Sequence, residues 1–354
     1  MLPESPTSLF HDFDRLDIVA LTMLEGFGPA TTRAHLAAIR ADGRSIDDGM
    51  SPGLLRTARG RAAESLAAAT RIGARLVIDG DSDYPESLHA LEHPPVALWI
   101  MGDIEAVRDH PTVSIVGTRG CTPYGERVTR ELAGALARAG ATVVSGMALG
   151  IDAMAHRAAI EVGGRTAAVL GTGVDVPYPA SHRSLHRQIC DQGVVVSESA
   201  PGTRAGPGCF PRRNRIIAAL GAATIVVEAG VKSGALNTSD HVLSIDRTLA
   251  VVPGPIDSPA SLGSNMLMRD GAHPITSVAD ALALIGLSQP RPANARLDSD
   301  AERTVWAALA RPAADFDVLC ARAGLPARSC IETVTTLELR GLVECSLTGE
   351  LRRR

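Results

Sequence analysis

A chain of 354 residues, 45% hydrophobic and 21% charged, is long enough for two or three globular domains with ample core. Its net charge of −4 excludes a bulk basic footprint for nucleic acid, although a local positive groove is compatible with a negative total. No apolar run approaches the ~20 residues a membrane helix needs, and the six cysteines form no Cys-x-x-Cys pair, so neither a membrane partner nor a metal or other cofactor is expected.

Residues 1–75 read as a helical domain. The segment from Leu16 to Leu24 is apolar and periodic, and Glu25 to Ala30 makes a Gly-x-Gly hairpin into a second helix, Thr31 to Ile39. Either the hairpin is a plain αα-turn, or it is a helix-hairpin-helix whose amides hold a phosphate, with Arg33 as the neighbouring cation. A third helix runs from Pro52 to Gly73. The first 14 residues carry no signal-peptide pattern, so a cytoplasmic location is expected. Lys232 is the only lysine, and any polyanion site must therefore be built from guanidinium groups.

Residues 76–288 read as an extended Rossmann-like α/β domain, doubly wound on a mostly parallel sheet. Ala74 to Ile78 and Val96 to Met101 are strands that extend it. Thr112 to Val116 is a β-branched run followed by Gly117, Thr118, Arg119 and Gly120, a helix from Pro123 to Ala139, and a strand from Ala141 to Val144. This βαβ unit forces its strands parallel. Ligands of such sheets sit outside the carboxyl ends of the strands, which places Arg119 in the ligand position and Gly146 in the next loop. Strands at 166–170, 194–196, 224–227 and 249–252 continue the pattern, making six that end at one edge.

Asp152 and His156, one helical turn apart, read as a helix-start residue and a stabilising pair rather than as catalytic groups. The stretch from Cys209 to Arg215 reads as a loop entering a helix. Arg212, Arg213 and Arg215 are suited to phosphates, Phe210 to stacking and Asn214 to a base edge. The alternative is a surface loop in which Arg213 and Arg215 partner Glu198 or Glu228. Arg165 and Arg183 complete the candidate set. The Gly-x-x-x-x-Gly-Lys and Gly-x-Gly-x-x-Gly fingerprints are absent, which disfavours an ordinary nucleotide or dinucleotide enzyme.

Residues 289–296 read as a linker. Residues 297–354 read as a winged-helix module: helices at 300–309, 315–323 and 327–340, then a hairpin around Leu347, Thr348 and Gly349. The third helix carries Arg328 and Arg340 but also Glu332 and Glu338, so DNA reading and protein docking both stand open.

One series of motifs is specific. Val116 to Arg119, Tyr124-Gly125, Ser145 to Asp152, His156, Gly171 to Asp175, Tyr178-Pro179 and Ser197-Glu198 come in order. Phe210 to Ile217, Val227 to Ala229, Ser233-Gly234, Val252 to Ile256, Gly263 to Asn265 and Gly271-Ala272 follow. From about Asp83 to Ala272 the chain closely resembles the DNA-processing protein A (DprA/Smf) family. The resemblance implies a non-enzymatic protein that binds single-stranded DNA without strong sequence preference in natural transformation, protects it, loads the RecA recombinase and acts as a homodimer. It carries the family's DNA contacts onto Arg119, Phe210, Arg213, Asn214 and Arg215. Two departures stand out. Ala180 replaces a lysine that some members have after Tyr-Pro, leaving Arg183 as the nearest substitute. Ser233 to Ser239 has Asn237 and Ser239 where members commonly have apolar residues. A nucleotide phosphoribohydrolase of the lysine-decarboxylase-like family is the enzymatic rival, but its Pro-Gly-Gly-x-Gly-Thr sequence is absent before Glu228. A winged-helix regulator with a ligand-sensing core is the third reading.

Overall fold

The computed structural model describes residues 9–48, 50–288, 297–346 and 349–353. The chain forms two compact units, Met1–Gln289 and Pro290–Arg354. The expected linker at 289–296 lies outside the described residues.

Three helices open the first unit: α1 (Arg15–Thr22), α2 (Pro29–Asp42) and α3 (Pro52–Arg71). Asp14 caps α1 by accepting the Leu16 N–H at 2.7 Å, and Pro29 and Pro52 sit in first turns where the missing N–H is harmless. Ile18, Leu21, Leu36, Ile39 and Leu55 are fully buried, in a core shared with Ile78, Trp99, Leu185 and Val195 of the α/β part. Residue 75 is thus a boundary between element types and not between cores.

Next come β1 (Arg75–Ile78), β2 (Ala97–Gly102), α4 (Glu105–Arg108), β3 (Thr112–Val116), α5 (Pro123–Arg138), β4 (Thr142–Ser145), α6 (Ile151–Glu161) and β5 (Thr166–Leu170). They are followed by α7 (Arg183–Gln192), β6 (Val194–Ser197), α8 (Cys209–Leu220), β7 (Ala223–Val226), α9 (Gly234–Ser244) and β8 (Thr248–Val251), then α10 (Leu262–Arg269), β9 (His273–Pro274) and α11 (Val278–Ala283). The sheet order is β1-β2-β6-β5-β4-β3-β7-β8-β9. Strands β3 to β8 are parallel, as their apolar runs predict, and β1 and β2 add an antiparallel edge beside β6. Alternate residues feed the two faces: Val113 and Ile115 pack with Leu132 of α5 and Ile151 of α6, and Val116 with Ile216 and Ile217 of α8. Among the described residues no helix is long and apolar enough to cross a membrane.

Arg33, the cation beside the N-terminal hairpin, is not free for a phosphate. It forms an ion pair with Asp79 at 2.5 Å and donates to the Pro94 carbonyl at 3.1 Å. The Asp79 side chain is fully buried, and its other oxygen meets His89 Nε2 at 2.8 Å. This pair fastens α2 to the loop after β1.

The second unit holds α12 (Asp300–Ala308), α13 (Phe316–Ala323) and α14 (Ala327–Leu339), then the antiparallel pair β10 (Val343–Cys345) and β11 (Leu351–Arg353). This is the winged-helix arrangement, with its own core of Val305, Leu319, Val334, Leu337 and Leu351. Residues 347 and 348 of the hairpin turn lie outside the described residues. Arg340, just past α14, pairs with Glu302 at 3.0 Å and Asp298 at 3.1 Å, and Arg328 pairs with Glu332 at 3.1 Å.

Replacing Arg33 by Ala leaves a buried carboxylate with only His89 beside it. Breaking a buried pair from one side is expected to destabilise the larger unit by about 3 kcal/mol, read as a lower urea midpoint by circular dichroism. A midpoint unchanged from the parent would show that the pair contributes nothing.

Candidate nucleic-acid interface

From β3 the chain proceeds through β4, β5 and β6 on one side and β7, β8 and β9 on the other, so the loops after β3 and β7 part at the switch point of the sheet. A cavity of about 440 Å³ opens there, with Gly117, Thr118 and Arg119 on one wall and Lys232 to Ala235, Asn237 and Thr238 on another. Phe210, Arg213 and Asn214 of α8 complete it. Glu228, buried just after β7, holds the first wall in place. Its carbonyl accepts the Thr118 N–H at 2.7 Å, and its carboxylate accepts the Thr122 N–H at 2.8 Å and the Thr122 hydroxyl at 2.5 Å. Gly125 is required at this contact, since a Cβ there would lie 2.3 Å from the same carboxylate. Glu228 therefore serves the loop and is not the partner of Arg213 or Arg215.

The expected loop through Arg215 is instead helix. α8 begins at Cys209 after Gly208 (φ +74°), with Pro211 in the first turn, where no N–H is needed. The helical periodicity distributes the arginines in different directions. Arg212 is exposed. Arg213 is only 7% exposed: its Nη1 donates to the Gly146 carbonyl at 2.7 Å and to the Val169 carbonyl, and its Nε donates to Asn214 Oδ1 at 3.1 Å. Gly146 is the residue that admits the guanidinium, because a Cβ there would lie 2.2 Å from Nη2. Arg215 pairs with Glu198 at 2.5 Å and donates to the His93 carbonyl at 3.0 Å. The picture of three arginines turned to phosphate is corrected accordingly. Arg213 ties α8 to the ends of β4 and β5, and Arg215 takes the Glu198 partner that the alternative reading gave it.

Arg119 remains exposed, and its guanidinium lies 5.6 Å from the Phe210 ring centroid. Phe210 in turn lies 4.8 Å from the ring of Tyr178, tilted by 37°. Tyr178 is 42% exposed and was absent from the candidate set, although the Tyr178-Pro179 motif was visible. Arg183, exposed in the first turn of α7 after β5, shares this edge. Arg165 does not. It precedes β5 and so lies at the opposite, amino edge of the sheet, which removes it from the groove. Sequence reasoning also missed Lys232 and Asn237, both on the cavity wall. The polar departures on α9 are locally satisfied: Asn237 Oδ1 accepts from Asn214 Nδ2 at 3.1 Å, and Ser239 donates to the Ala235 carbonyl at 3.2 Å.

Beneath the cavity lies a buried polar set. Burial pushes the Asp152 carboxyl up and pulls the Arg213 guanidinium down, while each opposes that trend in the other electrostatically. His156 does not pair with Asp152 as the spacing suggested. Its Nδ1 lies 2.6 Å from Thr166 Oγ1, whose own hydrogen goes to the Val143 carbonyl at 2.7 Å, so Nδ1 is the donor. Its Nε2 is buried without a partner. Burial, with Arg213 adding to it, pulls the imidazole down to about 3. A neutral, enclosed ring is a poor proton shuttle. Met147, in the same loop, holds φ +56°, a conformation rare outside glycine, and its carbonyl meets His182 Nδ1 at 2.9 Å. Among the described residues, no cluster of three His, Cys, Asp or Glu side chains could hold a metal.

The chain is similar to several known proteins. Residues 75–286 match the family described as DNA recombination-mediator protein A, and residues 289–346 match the DprA winged helix domain. Protein Smf of Escherichia coli (strain K12) is 34% identical over 290 residues, covering 78% of this chain and 77% of that protein. The structure of DNA processing protein A from Streptococcus pneumoniae superposes with a TM-score of 0.68 at 29% identity, over 77% of this chain and 98% of that one. DNA processing protein A from Helicobacter pylori, solved in a study of its single-stranded DNA binding mode, superposes with a TM-score of 0.54 at 30% identity, over 58% and 93%.

The buried imidazole has a consequence for stability. Its value in the fold is about 3, below the ordinary 6.5, so on acidification the unfolded chain takes up the proton first. The contribution is complete above about pH 6.5 and is lost progressively toward pH 3, and the loss reaches about 2 kcal/mol by about pH 5. His156→Gln should flatten that part of the profile of urea stability against pH. An identical fall in both proteins would show that His156 is not the titrating group.

Proposed function

The chain belongs to the DNA recombination-mediator protein A (DprA/Smf) family, and from that premise we propose that it binds single-stranded DNA along the carboxyl edge of its sheet. The observation that carries this reading is the placement of Arg119. It is exposed, has no ion-pair partner among the described residues, and rests over the half-exposed Phe210 ring at 5.6 Å. Resting on a ring at an exposed site contributes about 0.5–1 kcal/mol. A charge-assisted hydrogen bond to phosphate contributes about 1.5–3 kcal/mol. Exchange of ring for phosphate is therefore favourable, and it frees the face of Phe210 for a base. Arg183, Arg212 and Lys232 add exposed cations to the same edge, which suits a phosphate chain. Contacts of this kind hold the backbone and leave sequence mostly unread.

We further propose, in line with the family resemblance, that the bound strand is protected and passed to the RecA recombinase in natural transformation. In this reading the protein is a cytoplasmic homodimer and does no chemistry on the DNA. The enzymatic rival needs a free glutamate beside a glycine loop, and Glu228 is 2% exposed and engaged with Thr122. The regulator reading needs a basic recognition helix, and Arg328 and Arg340 are both engaged with carboxylates.

In fluorescence titrations, log affinity for single strands should fall with log salt at roughly −0.7 per phosphate contacted. Arg119→Ala should weaken binding by about 1.5–3 kcal/mol and flatten that slope. Phe210→Ala should cost about 1–3 kcal/mol through lost stacking and leave the slope nearly unchanged, because the ring carries no charge. An Arg119→Ala protein that binds like the parent, with the same slope, removes the proposed site.

A further inference from the structure

We propose that Tyr178 is a second stacking face of the single-strand site, with Arg183 and Arg204 as phosphate contacts beside it, so that the bound strand continues from the cavity across the loop after β5. The inference rests on the single-strand-binding function proposed above and extends it to a ring that does not line the cavity.

A single exposed ring needs no explanation on its own. Tyr178 is set apart by how firmly it is held. Its loop, residues 171–179, is closed on itself: Thr172 Oγ1 donates to the Val176 carbonyl at 2.7 Å, and the Val176 N–H donates to the Gly173 carbonyl at 2.9 Å. The same loop is tied to the one after β6. The Gly173 N–H donates to the Thr203 carbonyl at 2.9 Å, and the Gly202 N–H donates to Asp175 Oδ1 at 2.8 Å. A Cβ on Gly173 would lie 2.6 Å from the Ala200 carbonyl, so the two loops meet backbone to backbone. The Tyr178 ring then leans on Phe210, centroids 4.8 Å apart, yet stays 42% exposed. Its position is set before a ligand arrives, which lowers the ordering cost of binding.

Of the two rings, Tyr178 is the one ready to stack. Phe210 is half-buried and has the Arg119 guanidinium 5.6 Å from its centroid, so a base reaches that face only after the guanidinium leaves. Among the described residues, Phe210 is the one ring packed on Tyr178, and no guanidinium lies over it. Two exposed cations belong to the same pair of loops: Arg183, in the first turn of α7, and Arg204, next to the tethered Thr203. Strands β5 and β6 are parallel neighbours, so both loops lie at the edge where the cavity opens. An aromatic face that accepts any base, with guanidinium groups for the phosphates, suits a single strand.

The test uses the full chain and a fluorescein-labelled thymidine strand of about 20 nucleotides, longer than the site of one ordinary single-strand-binding fold. Anisotropy titrations are run at several salt concentrations. Tyr178→Leu, which keeps apolar bulk without an aromatic face, should weaken binding about tenfold and leave the salt slope unchanged, while Tyr178→Phe stays within about twofold of the parent. Arg183→Ala and Arg204→Ala should each make the slope shallower by about 0.7. Independently of any variant, a strand carrying iodouracil in place of thymine should cross-link to Tyr178 on irradiation, read by peptide mass spectrometry. If the parent does not bind the strand, the proposed function is wrong and this inference goes with it. If the parent binds, and Tyr178→Leu binds equally well or the cross-link maps away from Tyr178, the second face alone is overturned. A loss in Tyr178→Phe as large as in Tyr178→Leu would assign the effect to the hydroxyl and overturn stacking as well.

Discussion

The site depends on one buried cation. Taking a guanidinium out of water is costly unless its donors are satisfied and its charge is opposed. Arg213 meets this requirement with the carbonyls of Gly146 and Val169, the oxygen of Asn214 and the opposing charge of Asp152. Those carbonyls sit at the carboxyl ends of neighbouring strands, so the same bonds fasten the first turns of α8 to the sheet edge. Everything presented outward from α8 inherits that anchorage, including Phe210 and Arg212. Gly146 is part of the arrangement, because any side chain there would occupy the guanidinium's place.

Burial and exposure divide the labour among charges of the same type. Arg213, Arg215, Arg33 and Glu228 are spent on holding loops and helices together. Arg119, Arg183 and Arg212 are exposed, and the most intimate contact of Arg119 is a ring it can leave at little cost. A polyanion can then be met by cations that keep their mobility on a scaffold that keeps its shape. The net charge of −4 is no obstacle, since Glu198 and Glu228 at this edge are already engaged inside the protein.

Much of the fold was legible because buried parallel strands announce themselves. The run from Thr112 to Val116 is apolar and β-branched, and its boundaries in the structure match the reading. The start of α8 was not legible: the stretch from Cys209 to Arg215 read as a loop entering a helix, whereas the helix already begins at Cys209 with Pro211 in its first turn. That single misreading turned a periodic helix into a loop and hid the inward direction of Arg213. The place of Arg165 was legible although the candidate set did not use it, since a residue that precedes a parallel strand lies opposite the ligand loops. The His156–Thr166 bond and the Asn214–Asn237 bond join separate elements, and local spacing carries no sign of either. Asn237 did stand out as a polar departure from what the family resemblance implied for this helix. Its meaning needed the neighbour it touches.

Arg213→Met offers the most direct test of the division between a buried tie and an exposed phosphate ligand. Thermal unfolding and the salt dependence of single-strand binding would be measured on the same protein, below its melting temperature. A buried tie predicts a stability loss of about 3 kcal/mol, since Asp152 loses its opposing charge, and an unchanged slope of log affinity against log salt. An unaltered melting temperature with a slope shallower by about 0.7, one phosphate contact, would contradict it and return Arg213 to the DNA.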